Sequence, residues 1–230
     1  LMDQYAEVVP LTTKIIKDVS KDIVTVLGGV YAMSNPRRAM EDKNLDYVVI
    51  GEGEYVFKEL VGFHSGVCEL PKRGICFRKK HSNELENRGH AEFIKNLDDL
   101  PRPAYHLIDY SSYINQYNSR KTVDQPATYP YARIITSRGC PEKCSFCQVP
   151  SLQGSYFRWR SPEHIVDEIE WLKKDYGIKS IFFDDDNLLT NTKRAKALFK
   201  LMIEKKIGLR WVYSCTAVFR LDNEMVDLMI

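Results

Sequence analysis

Residues 133–147, RIITSRGCPEKCSFC, join an apolar strand to a loop that contains three cysteines. The β-branched residues in this stretch predict a strand over Arg133–Thr136. Cys140, Cys144 and Cys147 follow it within eight residues. Thiolates are the ligands that iron-sulfur clusters prefer, and short spacings let one loop surround a cluster. We therefore interpret the three cysteines as metal ligands.

The number of cysteines bears on the kind of metal centre. A structural zinc site uses four ligands, and no fourth Cys or His lies close by in the sequence. Three ligands on a cubane cluster would leave one iron open to a small molecule. Two other interpretations stay open: buried reduced cysteines, or a zinc loop completed by Cys215 or His164. No catalytic side chain can be assigned from the sequence.

Alternating strand and helix patterns follow the cysteine loop. Ser161 and Gly177 predict the two ends of a helix over Pro162–Tyr176. The remaining elements are a strand over Ser180–Phe183, a helix over Lys193–Lys206 with Asn191 as its cap, and a strand over Leu209–Ser214. These are successive βα units of a barrel or an open sheet.

Three adjacent carboxylates, Asp184–Asp186, end the second of these strands. Active sites of barrels are built at this end of the strands. A metal site, an acid-base pair and capping of the next turn are all compatible with the pattern. Side chains alternate in direction along a strand, so the three cannot all face inward. We assign Asp185 to the cofactor side.

Two glycine loops lie upstream, each after an apolar run. Gly28 and Gly29 follow the strand Ile23–Leu27, and Gly51-Glu52-Gly53 follows the strand Tyr47–Ile50. A helix over Glu54–Phe63, with Tyr55, Phe57, Leu60 and Val61 on its buried face, completes a βαβα order. That order predicts a parallel sheet whose glycine loops lie at the edge where ligands bind. Each loop could equally be an ordinary turn.

Residues 66–130 have a looser pattern that is rich in proline. Leu97–Tyr113 is predicted to form turns, and Ile75–Phe77 a short strand at most. We interpret 66–130 as a linker between the two α/β segments.

Bulk composition limits the classes of function. The 230 residues carry 33 Lys and Arg against 31 Asp and Glu, so the formal charge of +2 gives no case for nucleic acid or a membrane surface. No apolar run approaches the roughly 20 residues that cross a bilayer, and no export signal precedes the cysteines. We expect a cytoplasmic protein. Because the chain starts at Leu1 and stops at Ile230 within an apolar-periodic stretch, we expect it to be a fragment.

The cysteine loop resembles that of the radical S-adenosylmethionine (SAM) superfamily, in Ser137–Pro141, Cys144 and Phe146-Cys147. The resemblance implies a 4Fe-4S cluster whose open iron chelates SAM, and an electron that cleaves SAM to methionine and a 5'-deoxyadenosyl radical. By position, Phe146 would lie against the adenine, or it would simply pack the loop onto the barrel. Asp185 lies at a strand end that helps to bind SAM in that superfamily.

The wider order of motifs resembles the cobalamin-binding radical SAM family. The motifs are Leu27–Val30, Asp46–Glu54 and Leu97–Pro103. The resemblance implies that residues 1–65 are the C-terminal half of a flavodoxin-like (Rossmann-like) cobalamin-binding domain, and that 131–230 are the first βα units of a partial TIM barrel. Gly28, Gly29, Gly51, Glu52 and Gly53 would then line the groove for the nucleotide tail of cobalamin. The family's Asp-x-His-x-x-Gly segment, which supplies a cobalt ligand, does not occur in this sequence.

Three functions follow from these patterns. The first is a cobalamin-dependent radical SAM enzyme that transfers a methyl group or rearranges an unknown substrate, with an electron donor such as flavodoxin or ferredoxin. The second is a methylthiotransferase acting on tRNA or a ribosomal protein, which Arg158–Pro162 also resembles. That class would need three upstream cysteines, and only Cys68 and Cys76 occur there. The third is a non-catalytic electron-transfer or sensor module.

Overall fold

The computed structural model of the chain describes residues 4–79, 82–115, 129–213, 215 and 217–230. The chain forms two compact units, Leu1–Ile94 and Lys95–Ile230. Both are α/β in composition, which agrees with the predicted fold class. None of the helices in the described ranges is long and apolar enough to cross a membrane.

The first unit is built on a four-stranded sheet with the order β1-β2-β3-β4. Its strands are β1 (Val26–Leu27), β2 (Tyr47–Val49), β3 (Ile75–Arg78) and β4 (Leu85–Asn87). Its helices are α1 (Gln4–Val19), α2 (Val30–Ser34), α3 (Pro36–Ala39) and α4 (Gly53–His64). Only β1 and β2 pair in parallel, and β3 and β4 are antiparallel additions. The parallel arrangement predicted for the first two strands is therefore confirmed, but the two antiparallel strands of this sheet were not predicted.

The predicted linker 66–130 is wrong over its first part. Residues of β3 and β4 complete the first sheet, and the first unit continues to Ile94. Ile75 and Cys76 are fully buried, so they belong to the core of the unit. From Lys95 onward, two 3₁₀ turns (Leu97–Asp99 and Tyr105–Leu107) and the short helix α5 (Tyr110–Asn115) belong to the second unit.

Of the four side chains of α4 that were predicted to be buried, Leu60 is the one that the structure buries. Val56 and Leu60 are buried, whereas Tyr55, Phe57 and Val61 are each about half exposed. The side chains at 56 and 60 are one helical turn apart, and both pack in a cluster with Val49 and Ile75. Tyr55 and Phe57 are large and apolar enough to suggest a buried face, but the buried positions of the helix are 56 and 60.

The second unit is built on a parallel sheet with the order β5-β8-β9. These strands are β5 (Tyr131–Ile134), β8 (Ser180–Phe183) and β9 (Arg210–Tyr213), and a separate antiparallel pair joins β6 (Ser137–Arg138) to β7 (Arg158–Trp159). The helices are α6 (Val149–Leu152), α7 (Pro162–Tyr176), α8 (Thr192–Glu204) and α9 (Asn223–Met229), with a 3₁₀ turn over Val218–Arg220.

Capping residues place the helices of this unit as predicted. The Ser161 hydroxyl accepts the backbone N–H of His164 at 3.2 Å, and the Asn191 side chain accepts that of Arg194 at 3.0 Å. Gly177 ends α7 in the left-handed conformation. Ile165, Ile169 and Leu172 of α7 are fully buried in the core. This core fixes the strand ends from which the cysteine loop leaves.

Candidate functional site

The cysteine loop leaves the C-terminal end of β5 through the β6-β7 pair. Ser137 pairs with Trp159 and Arg138 with Arg158, so both sides of the loop's entrance are fixed. The Cys140 N–H then donates to the carbonyl oxygen of Gly154 at 3.3 Å. The loop is therefore anchored immediately before and at its first cysteine.

Gly139 lies where the cysteine loop closely approaches the backbone of residues 153–156. Its φ is +80°, and an added Cβ would lie 2.5 Å from the Tyr156 carbonyl oxygen and 2.8 Å from that of Gly154. Only glycine combines this backbone conformation with so little space. The residue before the first cysteine is thus fixed by backbone geometry.

The three cysteines differ in exposure. Cys140 is 9% exposed, Cys147 is half-buried and Cys144 is exposed, and the Cys147 N–H donates to the Cys144 carbonyl oxygen at 3.1 Å. Among the described residues, no three His, Cys, Asp or Glu side chains lie close enough together to hold a metal ion. The donor set, three thiols on one anchored loop, still has the chemistry of a cluster site.

Polar groups surround Cys140 from two elements. Burial raises the pKa of its thiol, and the Glu142 and Asp186 carboxylates add to the rise. Hydrogen bonds from the Glu142 backbone and the Asn187 side chain oppose it. Asn187 is 5% exposed, and its Oδ1 has no hydrogen-bond partner among the described residues. An orphaned buried acceptor beside the first cysteine fits a site that receives a polar group.

Phe146 is 88% exposed. The alternative in which this ring packs the loop onto the barrel is therefore wrong for the described structure. Contact with an adenine ring stays a prediction.

The three aspartates after β8 have three different environments. Asp184 pairs with Arg133 at 2.7 Å on the surface. Asp185 is 3% exposed and accepts hydrogen bonds from Thr136 and Ser137. Asp186 is half-buried, and burial and its two neighbouring carboxylates raise its pKa. The alternation expected along a strand therefore holds, and Asp185 faces the start of the cysteine loop.

Two arginines lie near the loop, and the first of them was missed from the sequence. Arg194 is 5% exposed and its Nη2 donates to the Thr136 carbonyl oxygen at 3.0 Å. Its spacing was a usable signal, because it lies four and eight residues before the buried Leu198 and Met202. Arg220 pairs with Glu142 at 2.9 Å and so ties the loop to the segment after β9. Nothing in the local sequence indicates this second pair.

Neither alternative zinc ligand joins the cysteines in a group that could hold a metal ion among the described residues. His164 Nδ1 lies 3.2 Å from the Asp98 carboxylate, and its side chain is 25% exposed rather than a free surface group. Cys215 is exposed. Ser214 and Thr216, the residues on either side of Cys215, lie outside the described residues.

In the first unit, the second glycine loop, Gly51–Gly53, packs against residues 90–94. Gly51 has φ +102°, and an added Cβ would lie 3.0 Å from His90 Nδ1 and 3.1 Å from the Ala91 nitrogen. The Glu52 carboxylate accepts the Ile94 N–H at 2.6 Å. These residues hold the segment 90–94, a role that the sequence did not reveal because the partners are distant in the chain.

The other predicted glycines have more open surroundings. Gly29 is the N-cap of α2 with φ +86°, and an added Cβ would meet nothing within 4 Å. Gly28 and Gly53 both approach Val49, at 4.0 Å and 3.5 Å from an added Cβ. Cobalamin binding by the glycine loops stays a prediction.

A family model described as Radical SAM superfamily matches residues 134–230. This span contains the whole cysteine loop and the βα units that follow it.

Among curated relatives, the chain is 31% identical to a cytidylyl-2-hydroxyethylphosphonate methyltransferase of Streptomyces wedmorensis, over 92% of this chain and 43% of the relative. It is 28% identical to the cobalamin-dependent radical SAM methyltransferase TokK of Streptomyces tokunonensis, over 76% of this chain and 24% of that protein. The chain thus spans less than half of either relative.

Among solved structures, the radical SAM methyltransferase TsrM of Kitasatospora setae, with tryptophan and a SAM analogue bound, matches with a TM-score of 0.71. The match has 21% identity and covers 98% of this chain and 42% of that one, so it supports a shared fold. The family model and the curated relatives together lead to one conclusion: residues 134–230 form a domain of the radical SAM superfamily.

Proposed function

We propose that the chain carries the SAM-cleaving site, and part of the cobalamin site, of a cobalamin-dependent radical SAM methyltransferase. The observation that carries the proposal is the anchored loop of Cys140, Cys144 and Cys147 at the C-terminal end of a parallel strand, inside a span that matches the radical SAM superfamily. Active sites of barrels are assembled at this end of their strands.

In this proposal, the three thiolates would hold a 4Fe-4S cluster, and its remaining iron would be available to the amino and carboxylate groups of SAM. When bound and reduced, the cluster supplies the electron that cleaves SAM to methionine and a 5'-deoxyadenosyl radical. The chain's own residues orient the groups: Gly139 and the β6-β7 pair fix the loop, and exposed Phe146 offers a ring face for adenine. The electron comes from a donor such as flavodoxin or ferredoxin.

The proposed architecture refines the α/β fold. Residues 1–65 are the C-terminal half of a flavodoxin-like cobalamin-binding domain, extended by β3 and β4, and 131–230 are the first βα units of a partial TIM barrel. The parallel β1-β2 pair and the parallel β5-β8-β9 sheet support this assignment. Of the four glycines assigned to the groove, Gly28, Gly29 and Gly53 leave more room for the nucleotide tail of cobalamin than Gly51 does.

The proposed reaction is methyl transfer to a small molecule. The relative from Streptomyces wedmorensis is named for a cytidylylated phosphonate, and the TsrM structure contains tryptophan. Because the named substrates differ widely, the chain's own substrate does not follow from them.

The test uses the full-length protein, reconstituted anaerobically with iron, sulfide and cobalamin. With SAM and a reductant, we expect release of S-adenosylhomocysteine or 5'-deoxyadenosine, measured by liquid chromatography and mass spectrometry. Cys144→Ala should abolish this release, and Cys68→Ala, a control thiol outside the loop, should retain it. If a protein with a fully loaded cluster releases neither product, the proposal is contradicted.

Electron paramagnetic resonance separates the enzyme from an electron-transfer module. SAM should change the spectrum of the reduced cluster only if one iron is open to it. An unchanged spectrum would favour the non-catalytic alternative.

A further inference from the structure

A cluster of four buried polar residues lies at the end of β5, just before the cysteine loop reaches Gly139. Its members are Thr136, Ser137, Asp185 and Arg194, and each is at most 5% exposed. Buried polar groups cost free energy unless they are paired, so such a group requires an explanation.

Asp185 binds the strand end from one side. Its Oδ1 accepts the Thr136 backbone N–H at 3.2 Å and the Thr136 hydroxyl at 2.8 Å. The same oxygen accepts the Ser137 hydroxyl in a short hydrogen bond. Oδ2 lies 3.3 Å from the Thr136 nitrogen. Hydrogen bonds to Thr136 and Ser137 therefore take up most of the acceptor capacity of the Asp185 carboxylate.

Arg194 binds the strand end through the backbone carbonyl of Thr136. Its Nη2 donates to the Thr136 carbonyl oxygen at 3.0 Å, and its charge acts favourably on the Asp185 carboxylate. The backbone N–H of Arg160 donates to that carbonyl as well, at 2.9 Å. Both backbone polar groups of Thr136 are thus held by side chains that come from other βα units.

We infer that Asp185 and Arg194 are positioning residues that set the direction in which the chain leaves β5, and that Asp185 acts on the cluster site through Cys140 rather than by contacting SAM. The inference rests on the proposed function only in taking the loop as a cluster site. Cys140 lies three residues beyond Ser137, with Gly139 fixed against 154 and 156, so a rotation at 136–137 displaces the first thiol.

The first readout needs no cofactor. In the full-length apoprotein, alkylation of Cys140 by iodoacetamide is followed by mass spectrometry, with Cys144 in the same loop as internal reference. Loss of buried hydrogen bonds in Asp185→Asn should raise the Cys140 rate by about tenfold relative to Cys144, because local opening exposes a buried thiol. Arg194→Lys, which keeps the charge but loses the fork of donors, should act in the same direction.

Asp184→Asn is the matched control, because this neighbouring carboxylate pairs with Arg133 at the surface. It should leave the Cys140 rate unchanged. If Asp185→Asn does not fold, Thr136→Val carries the test, since it removes one hydroxyl from the same carboxylate at nearly constant volume. Thr136→Ser, which keeps the hydroxyl, should alkylate Cys140 at the wild-type rate.

The second readout is spectroscopic. After anaerobic reconstitution, Asp185→Asn should hold less iron per chain, and the clusters that form should still respond to SAM in the electron paramagnetic resonance spectrum. A variant with full iron, an unchanged Cys140 rate and a lost SAM response would make Asp185 a SAM contact and overturn the inference. A wild-type protein that never cleaves SAM would contradict the proposed function alone, since the alkylation rates do not depend on that reaction.

Discussion

The Asp98 carboxylate accepts the backbone N–H of Ser161, 2.9 Å from one oxygen and 3.2 Å from the other. Ser161 is the N-cap of α7, and Asp98 also lies 3.2 Å from His164 in the first turn of that helix. A negative charge at a helix N-terminus is stabilising because it faces the unpaired N–H groups. A residue in the expected linker thus helps to fix the start of α7.

Asp98→Ala should lower the free energy of unfolding by about 1–3 kcal/mol, because it leaves a partly buried N–H without its acceptor and removes the charge at the helix N-terminus. Urea unfolding followed by circular dichroism measures the loss. Asp99→Ala is the control, since Asp99 is exposed and bonds only the nearby Asn96 side chain at 2.7 Å in the described contacts. Equal losses for the two variants would contradict this role of Asp98.

Glu52 should protect the Ile94 amide from solvent exchange. Glu52→Ala removes the carboxylate that accepts this N–H at 2.6 Å, so hydrogen exchange at Ile94 should accelerate by about tenfold or more. Glu52→Gln keeps an acceptor oxygen and should show a smaller change. Hydrogen exchange with fragment-resolved mass spectrometry measures both.

Glu59→Ala is the control for Glu52, because it removes an exposed carboxylate from the same helix. It should leave Ile94 exchange unchanged. If Glu52→Ala also leaves this exchange unchanged, the hydrogen bond between the Glu52 carboxylate and the Ile94 N–H does not stabilise segment 90–94.

The second unit could be predicted well because its signals are local. Ser161, Asn191 and Gly177 mark helix ends within a few residues of the bonds that they make, and the stripe of Ile165, Ile169 and Leu172 repeats at helical spacing. The bounds of α7 and β8 are the predicted ones for this reason. The family match over 134–230 confirms the identity that the cysteine spacing predicted.

The first unit was predicted less well because its decisive contacts are distant in sequence. Strand β4 is short and lacks an apolar alternation, so only its pairing with β3 reveals it. The partner of Glu52 lies 42 residues away, and in the second unit the partner of Asp185 lies 49 residues away. No local pattern encodes such pairs, so the contact between Asp185 and Thr136 could not be predicted from the sequence.

Asp46 should make stability depend on pH in the acid range. Burial alone raises the pKa of Asp46, but hydrogen bonds from Lys17 at 2.7 Å and from Thr25 outweigh it and hold the pKa below its usual value. The ionised carboxylate therefore stabilises the fold above the unfolded pKa of about 3.9, and this contribution is lost as the pH falls through the lower folded pKa.

The stability difference between wild type and Asp46→Asn should accordingly shrink between about pH 7 and about pH 3, as measured by urea unfolding. Asp22→Asn, at an exposed position in the segment before β1, is the control and should show no such trend. A difference for Asp46→Asn that is constant across this range would contradict the assignment.

Gly139→Ala should damage the cluster site more than the fold. The added Cβ would lie 2.5 Å and 2.8 Å from two backbone oxygens, of Tyr156 and Gly154, and backbone atoms cannot swing aside as a side chain can. Because Cys140 donates to the same Gly154 oxygen, the clash must displace the first thiol. Iron bound after anaerobic reconstitution should fall to about half or less of the wild-type value, since misplaced ligands weaken metal binding.

Gly177→Ala separates this clash from the cost of the backbone conformation. Gly177 also has a positive φ, +65°, but an added Cβ there would meet nothing within 4 Å. It should therefore lose about 1 kcal/mol of unfolding free energy for the left-handed conformation and still bind the full complement of iron. If Gly139→Ala binds as much iron as Gly177→Ala, the close approach at 139 does not position Cys140, and the anchoring of the loop must come from the β6-β7 pair and the Thr136 contacts alone.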